Sequence, residues 1–152
     1  MIGVSESTIE KELSEKGSFA IVPKGESMLP MIRGGREVVV ITKPSGKIRK
    51  YDVVLFKDEA GRYVLHRVIK ITPDTLVTRG DNTYFKEYVR ETSVIGVLSS
   101  YNKNGKTHST KSFFYKIYTK RRVLSYPLRL AFIKARCALI KIYKTIFKKR
   151  EK

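Results

Sequence analysis

Tyr63-Val64-Leu65-His66-Arg67-Val68-Ile69-Lys70-Ile71 is rich in β-branched and aromatic side chains. Read at a period of two, it puts Tyr63, Leu65, Arg67 and Ile69 on one face and Val64, His66, Val68 and Lys70 on the other. That is a strand pattern, and similar short runs surround it at residues 19–22, 37–42, 52–56, 76–78 and 93–100. Turn formers separate them: Gly34-Gly35, Pro44-Ser45-Gly46, Asp58-Glu59-Ala60-Gly61 and Pro73-Asp74. The spacing predicts a mainly β body. Ahead of it, Ser7-Thr8-Ile9-Glu10 has the reciprocal capping pattern of a helix start and Gly17 suits a helix end, which predicts a short N-terminal helix over 7–16.

The chain has 152 residues and a formal charge of +18, which first suggests a nucleic-acid binder. The distribution argues otherwise. Residues 1–102 carry 16 Lys and Arg against 13 Asp and Glu, a net of +3, whereas residues 103–152 carry 16 against Glu151 alone, a net of +15. The organisation expected is a β domain over 1–102, a polar linker over 103–110 containing Gly105 and a solvated His108, and a basic helical tail over 111–152. At 100° per residue, Leu128, Phe132, Ala135, Leu139, Ile142, Tyr143 and Ile146 share one face of that tail, with Lys134, Lys141, Lys144 and Lys148 opposite.

The single cysteine, Cys137, allows no internal disulfide and supplies no thiolate cluster, so neither a metal site nor a cofactor is expected. Residues 1–17 lack the apolar core of a signal peptide, and the uncharged apolar runs of the tail are too short to span a bilayer. A cytoplasmic location is expected, with peripheral attachment to the inner membrane face through the tail as its extension.

The chemistry-bearing residues come in a suggestive order. Ser27 stands in Gly25-Glu26-Ser27-Met28-Leu29-Pro30, His66 in the central strand, and Asp81 in Arg79-Gly80-Asp81-Asn82. A serine hydroxyl is a weak nucleophile until a nearby base takes its proton, and a carboxylate can hold that base in the useful tautomer. A neutral imidazole can do this at neutral pH, where a lysine could act only after a large downward shift. Gly25 allows close backbone approach, Pro30 stiffens the loop exit, and Met28 and Leu29 can pack the loop onto the body. Asp81 also suits the capping of its own turn, and Glu87 and Glu91 are rival carboxylates.

Together these boxes, with Gly35-Arg36-Glu37-Val38-Val39-Val40 and Tyr51-Asp52-Val53-Val54-Leu55-Phe56, resemble the superfamily of signal peptidases and SOS-repressor autoproteases over residues 19–100. The resemblance implies a signal-peptidase-like β fold and a serine endopeptidase that cleaves a precursor or leader-type peptide through an acyl-enzyme. It places the nucleophile on Ser27, with an oxyanion site at its backbone N–H. The general base falls on His66, as in the histidine-using archaeal and endoplasmic-reticulum branch rather than the lysine-using bacterial one. The family's acid falls on Asp81. A second acidic pair usually follows in that branch, and the aligned residues are Lys86 and Glu87, so Glu87 is the alternative acid. Gly25 stands where some bacterial members have an extra oxyanion hydroxyl. An N-terminal membrane segment, usual in signal peptidases, is not indicated.

Two other readings follow from the same residues. In one, the β body is a non-catalytic binding module whose tail binds acidic membrane surface or, with less support, nucleic acid, since neither a helix-turn-helix nor a zinc finger is visible. In the other the chain cuts itself once, although no scissile site stands out in the linker.

Overall fold

The computed structural model describes residues 6–132 and residue 135. Helix α1 (Glu6–Lys16) leads into β1 (Ser18–Ile21), β2 (Val39–Thr42), β3 (Val53–Lys57), β4 (Tyr63–Ile71), β5 (Leu76–Arg79) and β6 (Glu87–Val89). After one 3₁₀ turn come β7 (Val94–Lys103), β8 (Lys106–Ser109) and helix α2 (Phe113–Leu124). The fold is mainly β, an antiparallel eight-stranded sheet in the order β1-β2-β7-β3-β4-β5-β6 with β8 paired to β7.

The order explains the shape. β7 is long enough to serve several neighbours: Val97 to Tyr101 pair with β2, Val94 to Val97 with β3, and Ser100 to Lys103 with β8. The polar stretch expected as a linker over 103–110 is therefore a hairpin. Asn104 and Gly105 both take positive φ (52° and 75°) at its tip, the turn geometry that favours these residue types. Its strand went unread because β8, Lys106-Thr107-His108-Ser109, is exposed throughout and has no apolar face to reveal a period of two. His108 is not merely solvated, since its ring stacks on Tyr101 with centroids 5.1 Å apart.

The central strands bury both faces. Val53 and Leu55 of β3 join Ile9 and Leu13 of α1, Met28, Met31 and Ile32 of the loop after β1, and Tyr115 of α2 in one cluster, while Val54 and Phe56 join Val68, Leu76 and Val89 in another. That doubly covered strand explains the unbroken apolar run Val53-Val54-Leu55-Phe56. The alternation in β4 holds to Val68, where a bulge before Lys70 shifts the register against β5.

The 111–152 segment is not a detached tail over its described part. Ser112 caps α2 by accepting from Tyr115 N, and Tyr115 and Thr119 are buried against the sheet. Residues 126–132 continue as helix. Of the expected amphipathic face, Leu128 and Phe132 are exposed, and Leu139, Ile142, Tyr143, Ile146 and the four opposing lysines lie outside the described residues, as does Cys137. No helix among the described residues is long and apolar enough to cross a membrane.

Candidate active site

Register on the sheet builds the site. Arg67 of β4 pairs with Arg79 of β5, so Gly80 follows one step past the strand, level with His66. Next door Thr78 pairs with Glu87 of β6. His66 and Glu87 therefore reach the same face from strands two apart, and His66 Nδ1 lies 2.6 Å from Glu87 Oε2. Thr78 Oγ1 donates to the same carboxylate oxygen at 3.1 Å, fixing its position. An ionised carboxylate can only accept, so Nδ1 carries a proton, and in the neutral ring Nε2 is left with its lone pair. The ring is 7 % exposed and meets Phe56 edge-on.

Nε2 points toward the serine loop. A Cβ built on Gly80 would stand 3.0 Å from His66 Nε2 and 2.7 Å from the carbonyl oxygen of Ser27, so both residues crowd the space that this glycine leaves open. Asn82 holds the serine loop there: its N–H donates to Ser27 O at 2.7 Å and its side-chain amide donates to Glu26 O at 3.3 Å. The loop is braced from its other side too. Gly25 has φ 91°, and Gly34 approaches so closely that a Cβ on it would fall 2.2 Å from Gly25 O. Met28, buried, roots the loop in the core, and the Pro30 carbonyl accepts from Lys103 Nζ.

Ser27, His66 and Glu87 line one open cleft of about 260 Å³, with Met28, Ile32 and Leu65 contributing apolar surface. Gly25 lies on its wall, and Asp58 and Arg62, ion-paired at 2.7 Å, lie at the tip of the β3–β4 hairpin beside it. The Ser27 hydroxyl and the His66 imidazole thus share a cleft, and no hydrogen bond joins them among the described residues.

Asp81 does a different job. The expectation that it orients His66 is corrected by strand parity: Arg67 points to the face opposite His66, and Asp81 is bound to Arg67, with Nε to Oδ1 at 2.8 Å and Nη2 to Oδ2 at 2.7 Å. Both are buried. Arg67 Nη1 further donates to Tyr51 O, Tyr115 Oη and Thr119 Oγ1, at 3.1, 3.1 and 3.2 Å. Burial pulls its pKa down, but the Asp81 carboxylate outweighs burial and the value is raised. The backbone of Asp81 is engaged as well, its carbonyl accepting from Arg122 Nη2 at 2.9 Å and Arg129 Nη1 at 3.1 Å. Arg122 also reaches Leu29 O at 3.0 Å, so the helical segment grips both the acid loop and the serine loop. Burial lowers the pKa of Arg79 and of Arg129, and Arg79 stacks 3.2 Å over Tyr126.

Sequence reasoning missed Arg67, Thr78, Gly80 and Arg122. Arg67 had a usable signal, a cation on the Tyr63–Leu65 face of a strand that must bury that face and so demands a carboxylate partner. Among the described residues no group of three or more His, Cys, Asp or Glu could hold a metal ion. No family model, curated protein or solved structure matches the chain.

Proposed function

We propose that the protein is a serine endopeptidase in which Ser27 is the nucleophile, His66 the general base and then acid, and Glu87 the group that orients His66. The observation carrying this reading is that a carboxylate holds His66 Nδ1, while Nε2 and the backbone carbonyl of Ser27 flank the same glycine and both residues line one cleft. In the first step Ser27 Oγ attacks the scissile carbonyl while Nε2 takes its proton. The tetrahedral intermediate collapses to an acyl-serine, and Nε2 returns the proton to the leaving amine. Water, deprotonated by the same nitrogen, then releases the acyl group.

The substrate is an extended peptide of the precursor or leader type. The cleft is small, with Met28, Ile32 and Leu65 in its lining, and so suits small apolar side chains near the cut. The resemblance of the Ser27, His66 and Asp81 boxes to the histidine-using signal peptidases supports the same choice.

The test is exposure of wild type, Ser27→Ala and His66→Ala to a broad peptide library, with new termini read by mass spectrometry. Wild type cuts, and both variants fall to background with unchanged circular dichroism. Equal cleavage by Ser27→Ala, or no cleavage by wild type above that background, overturns the reading.

A further inference from the structure

Helix α2 exposes apolar side chains. Its sheet-facing side is mixed: Tyr115 and Tyr118 pack on the core, while the Tyr115 hydroxyl and Thr119 meet Arg67 and Arg122 reaches Leu29 and Asp81. Its outer side carries an apolar stripe among the exposed Lys116, Lys120 and Arg121. Phe113, Ile117 and Leu124 fall within 40° of one another at 100° per residue, and Phe114 flanks them. Phe114 is 82 % exposed and Leu124 73 %, and Leu128 and Phe132 in the helical residues that follow α2 are exposed too. A helix needing only to cover a core would be turned the other way.

Cations border this stripe. Lys116 and Lys120 follow the same helix edge and line an open cleft of about 780 Å³, together with Lys111 and with Lys43, Lys47, Arg49 and Lys50 from the β2–β3 loop. Its single lining carboxylate, Asp52, is occupied by the Arg49 N–H at 2.8 Å. From Thr92 to Arg150 the sequence contains no Asp or Glu. The cleft is thus strongly cationic, and the stripe of Phe113, Ile117 and Leu124 lies on the helix that supplies Lys116 and Lys120 to it.

We infer that this side of the molecule docks on the surface of an anionic phospholipid bilayer, with Phe113, Ile117 and Leu124 entering the headgroup–acyl boundary and the Lys-lined cleft taking lipid phosphates. Two features select a bilayer over nucleic acid. A convex apolar ridge adds nothing to phosphate-backbone binding, and the cations lie beside the ridge, as in interfacial helices. Each cation near an anionic surface adds on the order of 1 kcal/mol, so the seven lining this cleft suffice for salt-sensitive attachment. This inference is independent of the peptidase reading.

The experiment is co-sedimentation of the full chain with vesicles of phosphatidylcholine, alone or mixed with phosphatidylglycerol. Wild type and Ser27→Ala sediment only with the anionic vesicles. The exposed-site variant Phe113→Ser/Ile117→Ser/Leu124→Ser, with unchanged circular dichroism, loses about tenfold or more of the partitioning, and Lys47→Gln/Lys116→Gln/Lys120→Gln a similar amount. Equal sedimentation with both vesicle types, or variants that sediment like wild type, overturns the inference. So does binding of duplex DNA that is unaffected by the serine variant while vesicles are ignored.

Discussion

His66 Nδ1 sits 2.6 Å from Glu87 Oε2, while Asp81, six residues before Glu87, is committed to Arg67 on the opposite face of the sheet. Two carboxylates, one in a turn and one on β6, therefore have separable roles. Glu87 touches the His66 imidazole, and Asp81 ties β4 to the helical segment through Arg67, Arg122 and Arg129.

Replacing Glu87 by Gln keeps the shape but lets an amide N–H face Nδ1, which favours the tautomer with its proton on Nε2. That form cannot accept the serine proton. The cleavage rate of Glu87→Gln is expected to fall by about 10²–10⁴-fold with little change in melting temperature. Asp81→Asn should behave in the opposite way, with melting lowered first and the rate of the remaining folded enzyme affected less. Rates and melting curves for the two variants check this, and a Glu87→Gln enzyme as fast as wild type removes Glu87 from the mechanism.

Gly80 is required for space rather than for backbone freedom. A methyl group there would meet Ser27 O at 2.7 Å and His66 Nε2 at 3.0 Å, and the first of these is backbone that cannot swing aside. Gly80→Ala is expected to cost about 1–3 kcal/mol of stability through overpacking and at least tenfold in cleavage rate through displacement of the serine loop. Stability from denaturant unfolding together with turnover separates the two effects. Unchanged turnover would mean that Ser27 and His66 do not act across this glycine.

The strands were legible in the sequence where burial alternates or runs unbroken. Residues 63–71 were read to their observed bounds, and β3 was placed within a residue. Two kinds of element were not. β6, Glu87-Tyr88-Val89, is too short to show a period, yet it carries the carboxylate that meets His66. The choice between Asp81 and Glu87 depended on which strand face each occupies, and that is set by the β4–β5 pairing and its bulge, a long-range register that local residue patterns do not encode. The helical segment was read for charge, and its inward side, where Arg122 and Arg129 meet the Asp81 carbonyl, could not be seen without the partner it packs on.

The Arg67–Asp81 pair should show strong coupling. Both side chains are buried, so removing either leaves an uncompensated charge and costs about 3–5 kcal/mol, whereas apolar replacement of both removes charge and countercharge together. Arg67→Met and Asp81→Leu are each expected to be severely destabilised, and the double variant to be more stable than their sum predicts by about 2 kcal/mol or more. Chemical denaturation of the three variants measures the cycle. Simple additivity would show that the hydrogen bonds from Arg67 to Tyr51, Tyr115 and Thr119, not the ion pair, carry the anchor.

Tyr118 gives a prediction at alkaline pH. Its hydroxyl is buried and finds no hydrogen-bond partner among the described residues. Burial first, and then the negative charge of Asp81, push its pKa above the ordinary value of 10.0, against the opposing pull of Arg67 and Arg122. The folded protein therefore keeps a proton that the unfolded chain gives up near pH 10, so this contribution is fully present below that pH and is lost as pH rises toward the folded value. Melting temperature should decline from about pH 10 upward, and Tyr118→Phe should decline less steeply. At pH 7 the same variant should be as stable as wild type or slightly more so, because it removes an unpaired buried hydroxyl. Thermal melts of both proteins between pH about 7 and 11 test this, and parallel curves would mean that the hydroxyl is solvated in the folded state.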